Sequence, residues 1–471
     1  MTNWELDELE QKLDHELFFV EGKFKAPLMA GNIVYHMFDI DGRNQVYRGF
    51  LVTNDNKQIW RYDGTRYIPD GEEYVKSLIQ KVLGMKCNTN YKKEVIEWIR
   101  DEKDLQIPRK YLNDRLTLIN LRNGTFNIET NELETHAPSP FFTYQLPVTY
   151  DLDATTNKIQ DFFESTLYAD DIPVIQELFG YCLYKKYFIH KAFMFVGEGR
   201  NGKSTLINLL EHMLGEENVS NIPLQKLCND KHAAYILFGK HANLCGDLSS
   251  DELKNTGTFK KATGGDFIIA EKKYQDPFGF INTAKFVFSC NILPECNDTS
   301  SAYAKRWIVV EFPNIFEGVN CDPNILEKLT TDEEISGLFN WSIEGLKRLL
   351  QKKEFTKHRT FDDVQKFLAE HQDPVFIFIE THIDRDIEGE LTKEEVYNKY
   401  LEFCRENDYP RLVSNQFSQK FKPLAPWGIE EGQSRKKGRK KTWKGIKFKT
   451  QTENSKISID YETIEQQEGK L

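Results

Sequence analysis

The stretch Ala192–Gly215, AFMFVGEGRNGKSTLINLLEHMLG, limits the possible folds more than any other part of the chain. Ala192 to Val196 form a short apolar run that suits a buried strand. The loop after it carries Gly197, Gly199 and Gly202 and ends in Lys203-Ser204. Apolar positions then recur at helical spacing up to Leu214, and Gly215 is placed to stop the helix. Gly197-x4-Gly202-Lys203-Ser204 has the full Walker A spacing. In such a loop, backbone N–H groups turn inward around phosphates, the lysine reaches the β and γ oxygens, and the serine hydroxyl serves Mg²⁺. The dipole of the following helix favours the anion. The pattern predicts ATP and Mg²⁺ as cofactors, held by Gly197, Gly199, Asn201, Gly202, Lys203, Ser204 and Thr205.

The rest of the chain must say what the phosphate energy does. Its 471 residues leave room for about three domains. Hydrophobic residues at 39% and aromatics at 13% are enough for real cores. No apolar run reaches the ~18 residues that span a bilayer, and the first twenty residues are acidic rather than signal-like, so a soluble, cytoplasmic protein without a membrane partner is expected. The eight cysteines never form a CxxC, which argues against a zinc or disulfide framework. A formal charge of −11 does not exclude nucleic acid, because local clustering decides. RKKGRKKTWKGIKFK, residues 435–449, holds nine basic residues and no acid.

Leu6, Leu9, Leu13 and Leu17 mark one face of an opening helix. Hairpin signals follow at Asp63-Gly64 and Asn123-Gly124, with two helical patterns between them, so residues 1–145 read as a small mixed α/β module. Asp39 and Asp41 resemble metal-binding acids, but without a supporting cluster they read as turn residues. Strands recur at 241–245, 285–290 and 306–312, separated by helices, which predicts an α/β fold with a mainly parallel three-layer core over residues 146–365. Residues 366–450 give a helix capped at Thr392 with Glu395 in a capping box, a second helix from Ser414, and a basic hairpin. That is the outline of a winged-helix domain. An acidic tail, residues 451–471, ends the chain.

A P-loop needs a second carboxylate for Mg²⁺, and Asp247 directly follows the strand at 241–245. Asn291 ends the strand KFVFSC, where a polar side chain can orient the attacking water, although asparagine there is commonly a turn residue. Arg306 precedes the strand WIVVEF, where an arginine is ordinarily a surface residue. The basic run reads as a wing whose Arg435, Lys436, Lys437, Arg439, Lys440 and Lys441 would neutralise phosphates.

Taken in order, the Walker A loop, GDLSS, FKKATGGDFIIAEKKYQDPFGF, KFVFSCNILPECND and AKRWIVVEF resemble the superfamily 3 helicases, and most closely their phage/plasmid and poxvirus-type primase-helicase branch. The resemblance runs over roughly residues 115–450. It implies an AAA+ P-loop core, with Lys203 and Ser204 in Walker A, Asp247 in Walker B, Asn291 as sensor and Arg306 as an arginine finger serving the adjacent subunit. It also implies that residues 266–281 form a hairpin gripping single-stranded DNA with Lys272 and Lys273 near its tip. Two departures stand out. Asp247 is followed by Leu248 where a second acid is common, and Lys305-Arg306 replaces a pair of arginines. The implied function is ATP-dependent unwinding of single-stranded and forked DNA by a homo-hexamer during replication of a mobile element, alongside a separate primase or polymerase. The alternatives are an AAA+ initiator or remodeller without processive unwinding, and a winged-helix DNA-binding protein switched by nucleotide.

Overall fold

The computed structural model describes residues 15–35, 49–197, 199–230, 232–246, 248, 253, 256–271, 277–290, 301–318, 321–356, 363, 373–407, 409, 411–424, 429–434 and 440–449. Most of the expected opening helix, together with Asp39 and Asp41, lies outside these residues.

The centre of the chain builds one open parallel sheet. Two helices lead in, α1 (Asn157–Thr166) and α2 (Ile172–Leu183). Next come β1 (Ala192–Val196), α3 (Lys203–Leu214), β2 (Val219–Ser220), β3 (Ala242–Cys245) and α4 (Gly257–Gly264). A two-stranded antiparallel hairpin, β4 (Phe267–Ala270) and β5 (Phe278–Ile281), precedes β6 (Lys285–Cys290) and β7 (Trp307–Glu311), and α5 (Asp332–Lys352) closes the unit. The sheet order is β2-β3-β6-β1-β7, and every pairing in it is parallel. Buried parallel strands read as continuous apolar runs rather than as alternation. Every residue of β1, β3 and β6 is buried, which is why AFMFV and the middle of KFVFSC read as apolar runs, with Lys285 and Ser289 buried among them. Helix α3 packs against β3 and β6, and α5 lies along α2. Glu177 of α2, fully buried, accepts from Arg348 Nε at 2.6 Å and from the Thr356 backbone N–H at 2.7 Å, so no charge is left unpaired there.

Upstream, four short strands (Phe50–Thr53, Ile59–Tyr62, Tyr67–Ile68 and Gln106–Ile107) form a second sheet with the helices Gly71–Leu83 and Thr89–Asp101 beside it. The turn expected at Asp63-Gly64 is present, since Tyr62 pairs with Tyr67. The next hairpin turns one residue earlier than Asn123-Gly124. Gly124 is already in the strand, paired with Leu121, at a position where a Cβ would sit 2.5 Å from the Glu134 carbonyl oxygen. Ile119, Leu121, Phe126, Leu146 and Val148 are buried in the same apolar cluster as the parallel sheet. Arg109 joins the two regions. Its guanidinium lies 4.9 Å from the ring centroid of Phe278 in β5 and 5.2 Å from that of Phe238, and Asp55 holds it at 2.9 Å.

The C-terminal unit runs α6 (Pro374–His382), β8 (Ile383–Thr392), α7 (Lys393–Glu406), α8 (Ser414–Leu424), β9 (Glu430–Ser434) and β10 (Lys440–Phe448). Its antiparallel sheet has the order β8-β10-β9. Phe378, Tyr400, Phe417, Phe421, Trp443 and Ile446 form its core. Thr392 and Glu395 make the expected capping box at the start of α7.

The N-terminal end of the parallel sheet gathers three basic side chains, two of them, Lys285 and His241, fully buried. Lys285, the first residue of β6, is fully buried, donates to the Tyr184 carbonyl and lies 4.7 Å from the Tyr181 ring centroid. Lys185 donates to the Gly239 carbonyl at 2.6 Å, and His241 Nδ1 is 2.9 Å from the Cys182 carbonyl. Burial pushes Lys285 down from the ordinary 10.5 to about 7, with a small opposing pull from Cys182. Below about pH 7 both folded and unfolded chains carry this proton. Between there and 10.5 the unfolded chain holds it and the folded chain does not, so stability rises with pH, by up to ~1.4 kcal/mol per pH unit. Subtracting the pH–stability curve of Lys285→Met from that of the wild type, measured by urea unfolding from pH 7 to 9.5, isolates this slope. A flat difference curve contradicts the burial of the charge.

Candidate active site

In an open parallel sheet the crevice lies beyond the carboxyl ends of the strands, where successive connections diverge to opposite sides. Here that place is the end of β1. The chain leaves β1 through α3 towards the β2 edge, while the connection after β6 passes β1 to reach β7 on its other side. The glycine-containing loop sits at this point and runs straight into the first turn of α3.

The loop is held by contacts that only glycines allow. Gly202 has φ +90°, and a Cβ on it would lie 2.7 Å from Thr166 Cγ2, so α1 backs directly onto the loop. A Cβ on Gly197 would lie 2.3 Å from Asn201 Nδ2 and 2.7 Å from the Phe312 carbonyl oxygen. Gly199 faces open space. Asn201 is buried, and its Nδ2 donates to the Phe312 carbonyl at 3.4 Å. The Phe316 N–H donates to the Arg200 carbonyl at 2.8 Å, and Arg200 pairs with Glu317 at 3.2 Å. The segment after β7 therefore forms one wall of the loop.

Lys203 is buried and folds back into the loop, donating from Nζ to the Gly197 carbonyl at 2.7 Å and to Asn201 Oδ1 at 3.0 Å. Cys290, at the end of β6 and near Lys203, has its thiol pushed up to about 12 by burial. It stays neutral and does not form an ion pair with the amine. Ser204 is exposed and Thr205 half-buried on the first turn of α3. A buried lysine at a helix N-terminus, inside a cradle that Cβ atoms would fill, fits an anionic phosphate.

Asp247 and Asn291 lie outside the described residues. The Leu248 N–H donates to the Ser289 carbonyl at 3.0 Å, and Cys290 pairs with Val196, so the residues flanking both positions stand at the loop end of the sheet.

Arg306 is at the other end. It immediately precedes β7, and its carbonyl accepts from the N–H of Ala192, the first residue of β1, at 2.6 Å. Phe312, level with the loop, is six residues further on, or roughly 20 Å at the rise of a strand. The guanidinium turns towards α4. Nε donates to Thr263 Oγ1 at 2.8 Å, Nη2 donates to the Lys260 carbonyl at 3.2 Å, and Nη1 donates to the Ala302 carbonyl. The expected hairpin is β4–β5, in register Phe267↔Ile281 through Ala270↔Phe278. Lys272 and Lys273 lie outside the described residues, as do Arg435, Lys436, Lys437 and Arg439. Lys440 pairs with Glu394 at 2.7 Å, and Lys441 is exposed opposite Gln433. Sequence reading missed the Phe312 carbonyl, Arg109 and Asn282. Backbone carbonyls and contacts between distant segments leave no local pattern. Thr263 was visible only as part of the Thr-Gly-Gly-Asp block.

The fold and this loop define a mixed α/β protein with a parallel sheet and a glycine-lined cradle at its switch point. Three family models match successive parts of the chain. One described as D5 N terminal like matches residues 43–167, a family of unknown function (DUF5906) matches 195–306, and one described as Poxvirus D5 protein-like matches 370–465. The chain is 25% identical over 234 residues to "Putative helicase 184R" of Invertebrate iridescent virus 6, a match covering 44% of this chain and 23% of that protein. It is 26% identical over 250 residues to "Putative helicase L207/L206" of Acanthamoeba polyphaga mimivirus, covering 50% and 26%. These matches span about a quarter of the length of those relatives. Among solved structures, the apo C-terminal region of NrS-1 is similar at a TM-score of 0.43 and 13% identity, over 84% of this chain and 96% of that one. The two D5-like family matches and the viral relatives named as helicases support a D5-type primase-helicase of the superfamily 3 branch.

The two glycines should behave differently. Gly202→Ala combines a left-handed φ with a clash on α1 and should cost about 1–3 kcal/mol of stability and weaken nucleotide binding. Gly199→Ala should leave stability unchanged. Thermal melts with and without nucleotide check both.

Proposed function

We propose that the chain is the ATP-driven motor of a replicative DNA helicase, an AAA+ ring whose catalytic sites are shared between neighbouring subunits. The observation that carries this reading is the placement of Lys203 and Arg306 at opposite ends of one parallel sheet, with the hairpin rooted beside Arg306. An arginine so far from its own loop serves a γ-phosphate only if that phosphate belongs to another copy. The D5-type domains and the viral relatives named as helicases support the same reading.

ATP with Mg²⁺ supplies the phosphoryl group whose transfer to water releases the energy. Lys203 binds the β and γ oxygens once its amine leaves the Gly197 and Asn201 oxygens. Ser204 and Asp247 would hold the metal, and Asn291 would orient the water. Arg306 steadies developing charge on the neighbour's γ-phosphate. The hairpin, with Lys272 and Lys273, would follow single-stranded DNA at the ring centre. The helix–strand–helix–helix–hairpin order of the C-terminal unit supports a winged-helix reading, with α8 and the β9–β10 wing facing duplex DNA. In that wing, Lys441 is better placed than Lys440, whose charge is already paired with Glu394. The working partners are forked DNA, five further copies of the chain and a separate primase or polymerase, in the cytoplasm of a host cell.

The test is ATP hydrolysis with and without single-stranded DNA, with strand displacement on forked duplexes and particle mass by light scattering. The reading predicts DNA-stimulated hydrolysis by a ring-sized oligomer that unwinds the fork, and loss of all turnover in Lys203→Ala. A monomer without turnover overturns it.

A further inference from the structure

The last turn of α4 is a junction. Thr263 is fully buried, and its hydroxyl uses both of its capacities, donating to the Phe259 carbonyl at 2.8 Å and accepting from Arg306 Nε at 2.8 Å. Arg306 Nη2 donates one turn back, to the Lys260 carbonyl at 3.2 Å. A Cβ on Gly264 would lie 3.1 Å from Asp266 Oδ2 and 3.6 Å from Arg306 Nη2, so this glycine leaves room for the carboxylate and the guanidinium on either side. Gly265 takes φ +73° and turns the chain out of the helix. Asp266 then leads into β4. The hairpin's other strand returns to the same turn, because buried Asn282, just after β5, donates from Nδ2 to the Ala262 carbonyl at 3.0 Å. Arg306, the start of β4 and the end of β5 are therefore all fastened to one helical turn.

We infer that Thr263 is the positioning residue for Arg306, and that through it Arg306 and the root of the β4–β5 hairpin are held as one piece. The inference rests on the reading of Arg306 as a finger for the neighbouring subunit and adds to it the means by which nucleotide in one subunit is felt by the hairpin of the next. The side-chain hydrogen bond from Nε, with that from Nη2, ties the plane of the guanidinium to α4, beside the Nη1 bond to the Ala302 carbonyl. Any displacement of Arg306 towards a γ-phosphate is then passed to the turn from which both hairpin strands spring. Each residue of Thr263-Gly264-Gly265-Asp266 has a place in this junction: a hydroxyl clamp, a gap, a left-handed turn and the entry to the strand. An arginine merely capping the carbonyls of α4 would need Lys260 but not the Thr263 hydroxyl.

The experiment compares Thr263→Val, which keeps the shape and removes the hydroxyl, with Thr263→Ser, which keeps the hydroxyl, in the full chain. Steady-state ATP hydrolysis, fork unwinding and nucleotide binding are measured, with Arg306→Ala as reference. Thr263→Val should lower kcat roughly 10- to 100-fold, the cost of misplacing a catalytic group by about an ångström, without changing nucleotide affinity. Thr263→Ser should restore it. Mixing Thr263→Val with Lys203→Ala subunits should recover turnover, because the latter supply a well-held Arg306 to intact loops. Wild-type turnover in Thr263→Val beside an inactive Arg306→Ala overturns the positioning role and leaves the finger standing. Wild-type turnover in Arg306→Ala overturns the finger, and the inference with it. A Thr263→Val defect that Lys203→Ala subunits do not relieve means structural damage and overturns the inference.

Discussion

The parallel pairing of β7 with β1 governs everything else in the core. It sets Ala192 beside Trp307 and Val196 beside Glu311, so whatever precedes β7 is a full strand length from whatever follows β1. Lys203 follows β1 and Arg306 precedes β7. The two residues are thereby kept at opposite ends of the sheet within one chain. The segment after β7 is used differently, as the wall that holds Asn201 and Arg200 and so shapes the loop.

The same sheet explains the hairpin. It is inserted between α4 and β6 without joining the parallel sheet, and it is tied down at its root by Asn282 and at its turn end by Arg109 over the Phe278 ring. Both ties come from groups that a strand pattern does not reveal. One face of the hairpin is buried through Ile268, Ala270 and Phe280, while Phe267, Ile269 and Ile281 remain exposed. The core thus carries a glycine-lined loop at the carboxyl ends of the strands, and Arg306 with the root of the hairpin at the amino ends.

Much of this was legible in the sequence because it is local. The strand–loop–helix unit from Ala192 to Gly215, the buried strands KFVFSC and WIVVEF, and the capping box at Thr392 each follow from periodicity, glycine placement or cap chemistry, and each lies where those rules put it. The hairpin at 118–127 turns one residue early, and its register is set by pairing with a third strand, Glu132–Glu134, that no dipeptide rule contains. The site was less legible. The motif singles out Lys203, but its contacts with Gly197 and Asn201, the wall at Phe312 and the Arg306–Thr263 hydrogen bond depend on the sheet being assembled. The pairing of Lys440 with Glu394 was hidden for the same reason, since a basic run does not show which of its charges the fold neutralises.

The central claim is that one catalytic site is built from Lys203 of one subunit and Arg306 of the next, and subunit mixing tests it most directly. Lys203→Ala and Arg306→Ala are each inactive alone under this account. Combined in equal amounts and allowed to exchange, they should regain DNA-stimulated ATP hydrolysis, because some interfaces then pair an intact lysine with an intact arginine. Mixtures that stay as inactive as either variant alone, despite demonstrated subunit exchange, would contradict the shared site.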